Sequence, residues 1–433
     1  MDRRVFMRSG AMALVTMGLN PSFLRRTTFG MALPQAAKGK VLICTFQRGA
    51  ADALHVVVPH ADPSYYTLRP NIAIARPSLA AGAAGALELD GRFGLHPALR
   101  SLKPLYDRGL LAPIVAVGSP SSTRSHFDAH DYMESGTPDR KGTTDGWLNR
   151  YLAVSGTCEA GAQCAPTPFR AVSLTAQMPR ILEGPQPVVA MNSLDEFTVR
   201  ATGTQSDRLE ALYRTGRADV IHATGSDTFE AVKMLRAANP QQYSSANGAQ
   251  YPVTDFGRRL RQIAQLIKAG VGLEIAFADI GGWDTHVNQG GATGQLANRL
   301  REFGDGVAAL VADLGDRMED VVILTMTEFG RTARQNGNGG TDHGHAGSMF
   351  VIGGEVRGRD VFGRWPGLAP EQLNEGRDLA LTTDFRAVFG EIVGTHLGGR
   401  DPARVFPGYT STSDAWLQIL RGSPPAGVGV RRG

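Results

Sequence analysis

Four apolar, largely β-branched runs along the chain each lead into a turn that is rich in glycine or polar side chains. The runs are 40–46 (K-V-L-I-C-T-F), 111–117 (L-A-P-I-V-A-V), 273–278 (L-E-I-A-F-A) and 321–326 (V-V-I-L-T-M). Near-continuous apolar segments of this kind are typical of strands that are buried on both faces, as in a parallel sheet. We therefore predict that these runs are strands of a buried, mostly parallel sheet.

Helical patterns alternate with these runs. Two apolar stripes, with residues spaced by three and four, end before Gly315 and before Gly270. The stripes are Leu296, Leu300, Phe303, Val307, Leu310 and Leu314, and Phe256, Leu260, Ile263 and Ile267. The alternation predicts an α/β fold, a doubly wound sheet with helices on both faces. In such folds the functional crevice lies beyond the carboxyl ends of the strands.

The pattern also suggests a division of the chain into segments. Residues 38–400 are predicted to form the α/β domain. Within it, residues from about 155 to 250 are less regular and contain proline clusters, which indicates an insertion or cap beside the crevice. Residues 401–433 are a predicted C-terminal extension, whose end is rich in glycine, proline and arginine and is expected to be loose.

Residues 1–37 have the layout of a twin-arginine export signal. Arg3 and Arg4 are adjacent, Phe6 follows, and a short apolar run begins at Gly10, although Asp2 replaces the usual Ser or Thr. Such a leader is an address that a receptor reads and not an anchor. We expect the protein to be periplasmic or otherwise exported through the twin-arginine translocase, without a transmembrane anchor after processing. An ordinary basic amphipathic start is the competing interpretation.

The leader also accounts for the charge of the chain. Residues 1–37 contain five arginines and one acidic residue, which equals the net charge of +4 of the whole chain. The remaining body is therefore close to neutral. Proteins that bind nucleic acids are usually strongly basic, so we expect no nucleic-acid partner.

Three cysteines are too few for a cysteine-rich zinc site. Cys158 and Cys164 lie six positions apart in a turn-rich stretch and can pair in an oxidising compartment. Cys44 lies in a predicted strand, and the lack of a neighbouring cysteine argues against a redox role.

Residues of the metal-ligand type follow two of the predicted strands. In G-G-W-D-T-H (281–286), Asp284 and His286 are two positions apart, so on an extended segment both side chains point the same way. Carboxylate oxygen together with imidazole nitrogen suits zinc, manganese or iron. The alternative is that Asp284 is a turn residue and His286 a helix cap. Glu328 follows the 321–326 run and can bind a metal, while Arg331 can hold an anionic oxygen or form a plain salt bridge with Glu328.

The stretch T-D-H-G-H (341–345) repeats this spacing. His343 and His345 are two positions apart, and Asp342 adds a carboxylate. The alternative is a polar surface loop, which the strand-like M-F-V-I-G-G immediately after it makes less attractive.

A third candidate region is S-P-S-S-T-R-S-H-F-D-A-H-D (119–131). If a helix starts near Ser125, its amide groups favour an anion, and a metal-activated Ser125 oxygen can attack phosphorus or sulfur. A simple helix cap is the strong competitor. Arg124 can neutralise developing charge. His126, His130 and Asp131 are further candidates, as is His96 in F-G-L-H-P (93–97).

Together, R-S-H-F-D-A, G-W-D-T-H, T-E-F-G-R-T and D-H-G-H-A, in this order after a twin-arginine leader, resemble the bacterial family catalogued as domain of unknown function 1501. The resemblance covers nearly all of residues 40–397. That family looks like a branch of the alkaline phosphatase superfamily, which includes sulfatases and cofactor-independent phosphoglycerate mutases. This implies an alkaline phosphatase-like fold with two metal ions at the strand ends, held by Asp and His, and a Ser, Thr or modified Cys nucleophile.

Individual residues match the superfamily pattern by this resemblance. Asp284 and His286 resemble the Asp…His pair of one metal, and His343 or His345 the late histidine. Asp52 resembles the early metal acid, and Ser125 the nucleophile. The chain departs from the pattern where Glu328-Phe329-Gly330 stands in place of Asp-His-Gly. It departs again near Cys44, where Phe46 replaces the Pro or Ala of the sulfatase motif. We therefore reject Cys44 as a site that is converted to formylglycine.

The sequence therefore predicts an exported, metal-dependent hydrolase of phosphate or sulfate esters, acting on a small-molecule, glycan or lipid ester. One or two divalent ions, zinc or manganese, are expected. The predicted metal ligands are Asp52, Asp284, His286, Glu328, Asp342, His343 and His345; the predicted catalytic residues are Ser125, Arg124 and Arg331; His96 and His126 are other candidates. The alternative is a non-catalytic periplasmic binding or assembly protein that retains the fold and a structural metal.

Overall fold

The computed structural model of the protein describes residues 39–78, 84–155, 167–194, 243–399, 401–410 and 415–422. The predicted export signal and the predicted Cys158–Cys164 pair lie outside the described residues.

An eight-stranded sheet with the strand order β11-β5-β10-β9-β1-β8-β6-β7 forms the centre of the molecule, and β2, β4 and β3 form a small second sheet. The strands are β1 (Val41–Gln47), β2 (Val57–Val58), β3 (Leu87–Glu88), β4 (Gly94–Leu95), β5 (Leu111–Gly118), β6 (Ala171–Ser173), β7 (Val189–Ala190), β8 (Ile275–Ile280), β9 (Val321–Met326), β10 (Gly347–Gly353) and β11 (Thr383–Asp384). In the large sheet only β10 runs antiparallel to its neighbours, β5 and β9. A mixed α/β fold with a mostly parallel sheet is thus confirmed, and the four predicted strand runs are β1, β5, β8 and β9.

The α-helices are α1 (Ala53–Val56), α2 (Pro63–Leu68), α3 (Lys103–Asp107), α4 (His126–Ser135), α5 (Trp147–Val154), α6 (Asp255–Ala269), α7 (Gln295–Leu314), α8 (Phe385–Glu391) and α9 (Pro402–Val405). Short 3-10 turns span Pro97–Leu99, Arg180–Leu182, Gly315–Asp320 and Pro370–Gln372, and a π-helical turn spans Ile392–His396. The two predicted apolar stripes are α6 and α7. Helix α6 begins after Thr254, whose hydroxyl accepts a hydrogen bond from the Gly257 amide, and ends at Gly270 in the left-handed conformation.

Helices cover both faces of the large sheet. Along β1, Ile43 lies in an apolar cluster with residues of α6 and α7, such as Leu260 and Leu300. Its neighbour Leu42 lies in a second cluster, which includes Trp147 of α5 and residues of α8. Successive side chains of a strand point to opposite faces, so these two clusters are the two layers that enclose the sheet.

Two predicted segments are built into this core. Strands β6 and β7 fall within the stretch predicted as an insertion, yet they lie at one edge of the large sheet. In the predicted C-terminal extension, Val405 and Phe406 are buried in the same cluster as α5. Among the described residues, no helix is both long and apolar enough to cross a bilayer.

We predict that Leu300→Ala destabilises the protein by about 2–5 kcal/mol, because Leu300 is fully buried between α7 and the sheet. The neighbouring exposed Arg301 provides the control, since Arg301→Ala is expected to change the free energy of unfolding by less than about 0.5 kcal/mol. Urea unfolding measures both. Equal effects of the two substitutions would contradict this packing.

Candidate metal centre

Three chain segments meet at the carboxyl edge of the parallel strands. The loop after β8 carries Asp284 and His286, and the loop after β9 carries Glu328. Because β10 runs antiparallel to β9, the segment that precedes β10, with His343, lies at this same edge. A fourth segment, the start of helix α4, contributes His126. The sheet therefore brings together residues that are far apart in sequence.

Asp284, His286 and His343 lie at the centre of this region. The Nε2 atom of His286 is 2.9 Å from Oδ1 of Asp284 and 3.0 Å from Nε2 of His343. The Nε2 atom of His343 is 3.2 Å from the same Asp284 oxygen. His126 joins them, with its Nε2 atom 3.0 Å from Nε2 of His343 and 3.5 Å from Oδ2 of Asp284.

These separations match the edges of a metal coordination polyhedron. Ligand atoms bound tetrahedrally at 2.0–2.1 Å from an ion are about 3.3 Å apart. The set of His126, Asp284 and His343 can hold a metal ion, and the distances above place His286 at the same centre.

The orientation of each imidazole supports this interpretation. Nδ1–H of His126 donates a hydrogen bond to Oε1 of Glu328 at 2.7 Å, and Nδ1–H of His343 donates to the Arg124 carbonyl oxygen at 2.9 Å. Carboxylate and carbonyl oxygens only accept hydrogen bonds. Each neutral ring therefore has its proton on Nδ1 and presents the Nε2 lone pair to the centre.

His286 follows the same rule. Its Nδ1–H donates to Oδ1 of Asp342 at 3.1 Å, which leaves Nε2 free to face Asp284 and His343. An oxygen acceptor on the far nitrogen is the usual support of a metal-binding histidine. The structure thus places Asp342 behind His286, as the partner of its ring, and not beside the other ligands.

Glu328 is completely buried and also lies behind a histidine ring. Its Oε1 accepts hydrogen bonds from Nδ1–H of His126 and from the Gly49 amide at 2.8 Å. The Nε2 atom of His130 lies 3.0 Å from Oε1, but it makes no hydrogen bond. His126, His130 and Glu328 form a second group that can hold a metal ion, and such an ion would use the opposite nitrogen of the His126 ring.

Charges at the centre are set by burial and by close partners. Burial alone would raise the pKa of Glu328, but the hydrogen bond from His126 and the close approach of His130 outweigh it and hold that pKa well below its usual range. The hydrogen bond to Glu328 raises the pKa of His126, whereas burial lowers the pKa of His343. Burial also opposes ionisation of Asp284, but the Arg331 charge lowers its pKa overall. At neutral pH both carboxylates are therefore charged and His343 is neutral, as metal binding requires.

Arg331 lies beneath Asp284. Its Nη1 donates to Oδ1 of Asp284 at 2.8 Å, and its side chain is completely buried. The salt bridge considered as an alternative for Arg331 is made with Asp284 and not with Glu328. The sequence predicted that Arg331 neutralises developing charge, but the burial of its guanidinium favours a role in orienting the Asp284 carboxylate.

The other side of the centre is open. The side chains of Asp284 and His286 are 44% and 38% exposed. Structural zinc sites are enclosed by protein ligands, whereas catalytic sites keep a position open to solvent. Solvent therefore reaches two of the candidate ligands of this centre, as it does in catalytic sites.

Asp52 was predicted as a metal ligand, but the structure places it in a separate, fully buried ion pair. Arg69 donates to both of its oxygens, from Nη1 at 2.6 Å and from Nη2 at 2.9 Å. Nδ1 of His55 lies 2.8 Å from Oδ2, and Gln289 donates to the same oxygen at 2.7 Å. The Asp52 carboxylate is therefore engaged by the side chains of Arg69, His55 and Gln289.

His345 and His96 also face away from the centre. Nε2–H of His345 donates to the Ser119 carbonyl oxygen at 3.0 Å. Nδ1 of His96 accepts from the Ala98 amide at 3.0 Å, its Nε2–H donates to the Gly291 carbonyl oxygen at 3.0 Å, and burial lowers its pKa to about 3. His96 is thus a satisfied core histidine, and the predicted ligand role of His345 has no geometric support.

Ser125 and Arg124 precede α4. Ser125 occupies the N-cap position, is exposed, and its side chain caps no backbone amide of the helix. Arg124 donates to Glu375 at 2.7 Å and to Asp378 at 2.6 Å, so its charge is already paired with two carboxylates. Cys44 is fully buried, and this burial raises the pKa of its thiol far above the usual range, so it is unreactive.

We predict that Asp52→Asn destabilises the metal-free protein by about 3–5 kcal/mol at pH 7, because Arg69 then remains as an unpaired buried charge. The pKa of Asp52 is held below its usual range, mainly by Arg69 against the effect of burial. This stabilisation is therefore complete above the unfolded-state pKa of about 3.9 and is lost as the pH falls below it. Urea unfolding at pH 7, 5 and 3.5 measures the free energy of unfolding of wild type and variant. The difference between the two should be smallest at pH 3.5.

The exposed pair of Lys103 and Asp107 provides the control, because Asp107→Asn is expected to cost less than about 1 kcal/mol at any of these pH values. A loss of bound metal in Asp52→Asn without a loss of stability would instead identify Asp52 as a ligand.

No curated protein and no solved structure matches the chain. The family model described as "Protein of unknown function (DUF1501)" matches residues 39–408, which include every residue of the candidate centre. The family resemblance inferred from the four motifs is thereby confirmed, and the chain belongs to the DUF1501 family.

Proposed function

We propose that the protein is an exported, metal-dependent hydrolase of phosphate or sulfate esters, with one divalent ion held by His126, Asp284, His286 and His343. The observation that carries this proposal is that the Nε2 atoms of His126 and His286 each lie 3.0 Å from Nε2 of His343, and that all three nitrogens lie 2.9–3.5 Å from the Asp284 carboxylate. A nitrogen-rich set of this kind favours zinc over manganese, which prefers oxygen ligands.

Solvent exposure favours a catalytic ion over a purely structural one. Asp284 and His286 are partly exposed, whereas the groups that support the ligands, Glu328 and Arg331, are buried. A divalent ion in this set supplies Lewis acidity toward an ester oxygen and toward an attacking hydroxyl. Four protein ligands would fill a tetrahedral shell, as in a structural site, so catalysis requires the ion to accept a fifth ligand or one protein ligand to give way. The exposure of Asp284 and His286 is the observation that favours the catalytic ion over the non-catalytic alternative.

Ser125 is the side chain best placed to act as the nucleophile. It directly precedes the ligand His126, is exposed, and does not use its hydroxyl to cap α4. The first amide groups of this ten-residue helix attract an anion. An anionic ester bound there would place its phosphorus or sulfur close to the Ser125 oxygen. The resemblance of the sequence motifs to the alkaline phosphatase superfamily supports the same reaction class, and a mostly parallel sheet is compatible with it.

Phe127 supports an ester with an organic group. It directly follows His126, and its side chain is 90% exposed. A large apolar side chain next to a polar centre offers a contact for the organic part of a substrate.

We predict that the purified mature protein binds about one zinc ion per chain and that His343→Ala abolishes this binding, because His343 contacts each of the other three candidate ligands. His345→Ala is the matched control, since His345 bonds to a backbone carbonyl and should retain the ion. Elemental analysis after dialysis gives the stoichiometry. A wild-type protein that retains no divalent ion would refute the proposal.

We further predict that zinc-loaded protein hydrolyses an aryl phosphate or aryl sulfate, and that Ser125→Ala lowers kcat by about a thousandfold or more while zinc remains bound. Ser122 lies in the same loop and is also exposed, so Ser122→Ala should leave the rate unchanged. A panel of phosphate monoesters, diesters and sulfate esters measures the rates. A tightly held, slowly exchanging ion without any turnover would instead support the non-catalytic alternative.

A further inference from the structure

We propose that Gln289 is a positioning residue that holds the two ligand-bearing loops of the centre together, and that its amide sets the affinity of the centre for its ion. This inference rests on the proposed function, because it concerns the same ion.

The Gln289 side chain is completely buried, and all of its hydrogen-bonding groups are used. Its Oε1 accepts hydrogen bonds from the hydroxyls of Thr285 at 2.9 Å and Thr341 at 2.8 Å. Its Nε2 donates to Oδ2 of Asp52 at 2.7 Å. Since a carboxylate only accepts hydrogen bonds, the amide nitrogen must face Asp52, and the orientation of the amide is fixed by its partners.

The two threonines lie next to the residues that form the centre. Thr285 lies between the ligands Asp284 and His286. Thr341 directly precedes Asp342, whose carboxylate accepts the Nδ1–H of His286. One amide oxygen therefore joins the segment that carries two ligands to the segment that carries the third.

Backbone hydrogen bonds also join these two loops. The Thr341 amide donates to the Thr285 carbonyl at 3.3 Å, and the Gln289 amide donates to the Gly339 carbonyl at 2.9 Å. These bonds pair the two loops with each other, but they do not fix the pair relative to the sheet. The side chain of Gln289 does so through Asp52, which directly precedes α1 near the end of β1.

Asp52 is a rigid anchor because Arg69 binds it through two nitrogens. Arg69 in turn donates to the backbone carbonyls of Ala333 at 3.0 Å and Thr332 at 2.9 Å, in the loop after β9. Asp52, which the sequence predicted as a metal ligand, thus acts on the centre indirectly. It orients Gln289, and Gln289 orients the loops.

We expect Gln289→Met to weaken zinc binding by about ten- to a hundredfold, because the thioether keeps the volume of the side chain but removes its hydrogen bonds to Thr285, Thr341 and Asp52 and its 3.3 Å contact with Nδ1 of His55. The zinc dissociation constant is measured on the mature full-length protein by competition with a chelator of known affinity. The urea midpoint of the metal-free protein is measured in parallel.

Gln262 provides a matched control. It is also buried, on α6, where its Nε2 donates to the Ser193 hydroxyl at 2.9 Å and its Oε1 accepts from the Leu194 amide at 3.3 Å. Gln262→Met should lower the urea midpoint to a similar extent but leave the zinc dissociation constant unchanged. A second pair tests the hydroxyl alone. Thr341→Val should weaken zinc binding, whereas Thr341→Ser should retain wild-type affinity. Both substitutions keep the packing nearly intact, so they test the proposal even if Gln289→Met fails to fold.

The outcomes separate the two proposals. Zinc affinity that is unchanged in Gln289→Met and Thr341→Val, or lost equally in Gln262→Met, overturns the role of Gln289. A wild-type protein that binds no zinc overturns both proposals. Zinc binding that depends on Gln289, in a protein that hydrolyses none of the esters, supports this inference and overturns only the hydrolase.

Discussion

The rest of the site depends on one constraint: the Nε2 atoms of His126 and His286 each lie 3.0 Å from Nε2 of His343, beside the Asp284 carboxylate. Each ring has its proton on the far nitrogen, where an oxygen of Glu328, Asp342 or Arg124 accepts it. The near nitrogens therefore face one another with lone pairs, which repel. A cation relieves this repulsion, so the surrounding hydrogen bonds hold the donors in an arrangement that favours an ion.

The fold supplies this arrangement through close contact of loops. At Gly330, in the loop after β9, an added Cβ atom would lie 1.9 Å from the Ala346 carbonyl oxygen, and at Gly344 it would lie 2.4 Å from the Arg331 carbonyl carbon. Only glycine allows the backbones to pass at this distance. The contact draws the segment before β10 against the end of β9, which brings His343 within reach of Asp284.

Local patterns were sufficient to predict the main strands and the two long helices, since burial on both faces of a strand and on one face of a helix leaves a periodic signature. The spacing of Asp284 and His286 likewise predicted that both side chains face the same point, and the structure brings them to 2.9 Å. Asp342 and Glu328 have the chemistry of ligands, but whether such an oxygen faces the ion or the back of a histidine ring depends on the tertiary arrangement of distant loops. Asp52 could not be assigned for the same reason, because its partner Arg69 lies seventeen residues away without any pattern that pairs them.

His126 was predicted only as a further candidate, but the structure places it in both groups that can hold a metal ion. A signal for it exists, because His126 and His130 are four positions apart and so lie on one face of α4. Its two ring nitrogens face the two groups that can hold a metal, one with Asp284 and His343, the other with His130 and Glu328. Because a single neutral imidazole has one lone pair and one proton, occupation of the first group turns Glu328 into the acceptor of that proton. In the proposed site, the buried Glu328 and the exposed Asp284 would then have different tasks: Glu328 would orient His126 from below, while Asp284 would bind the ion on the solvent side.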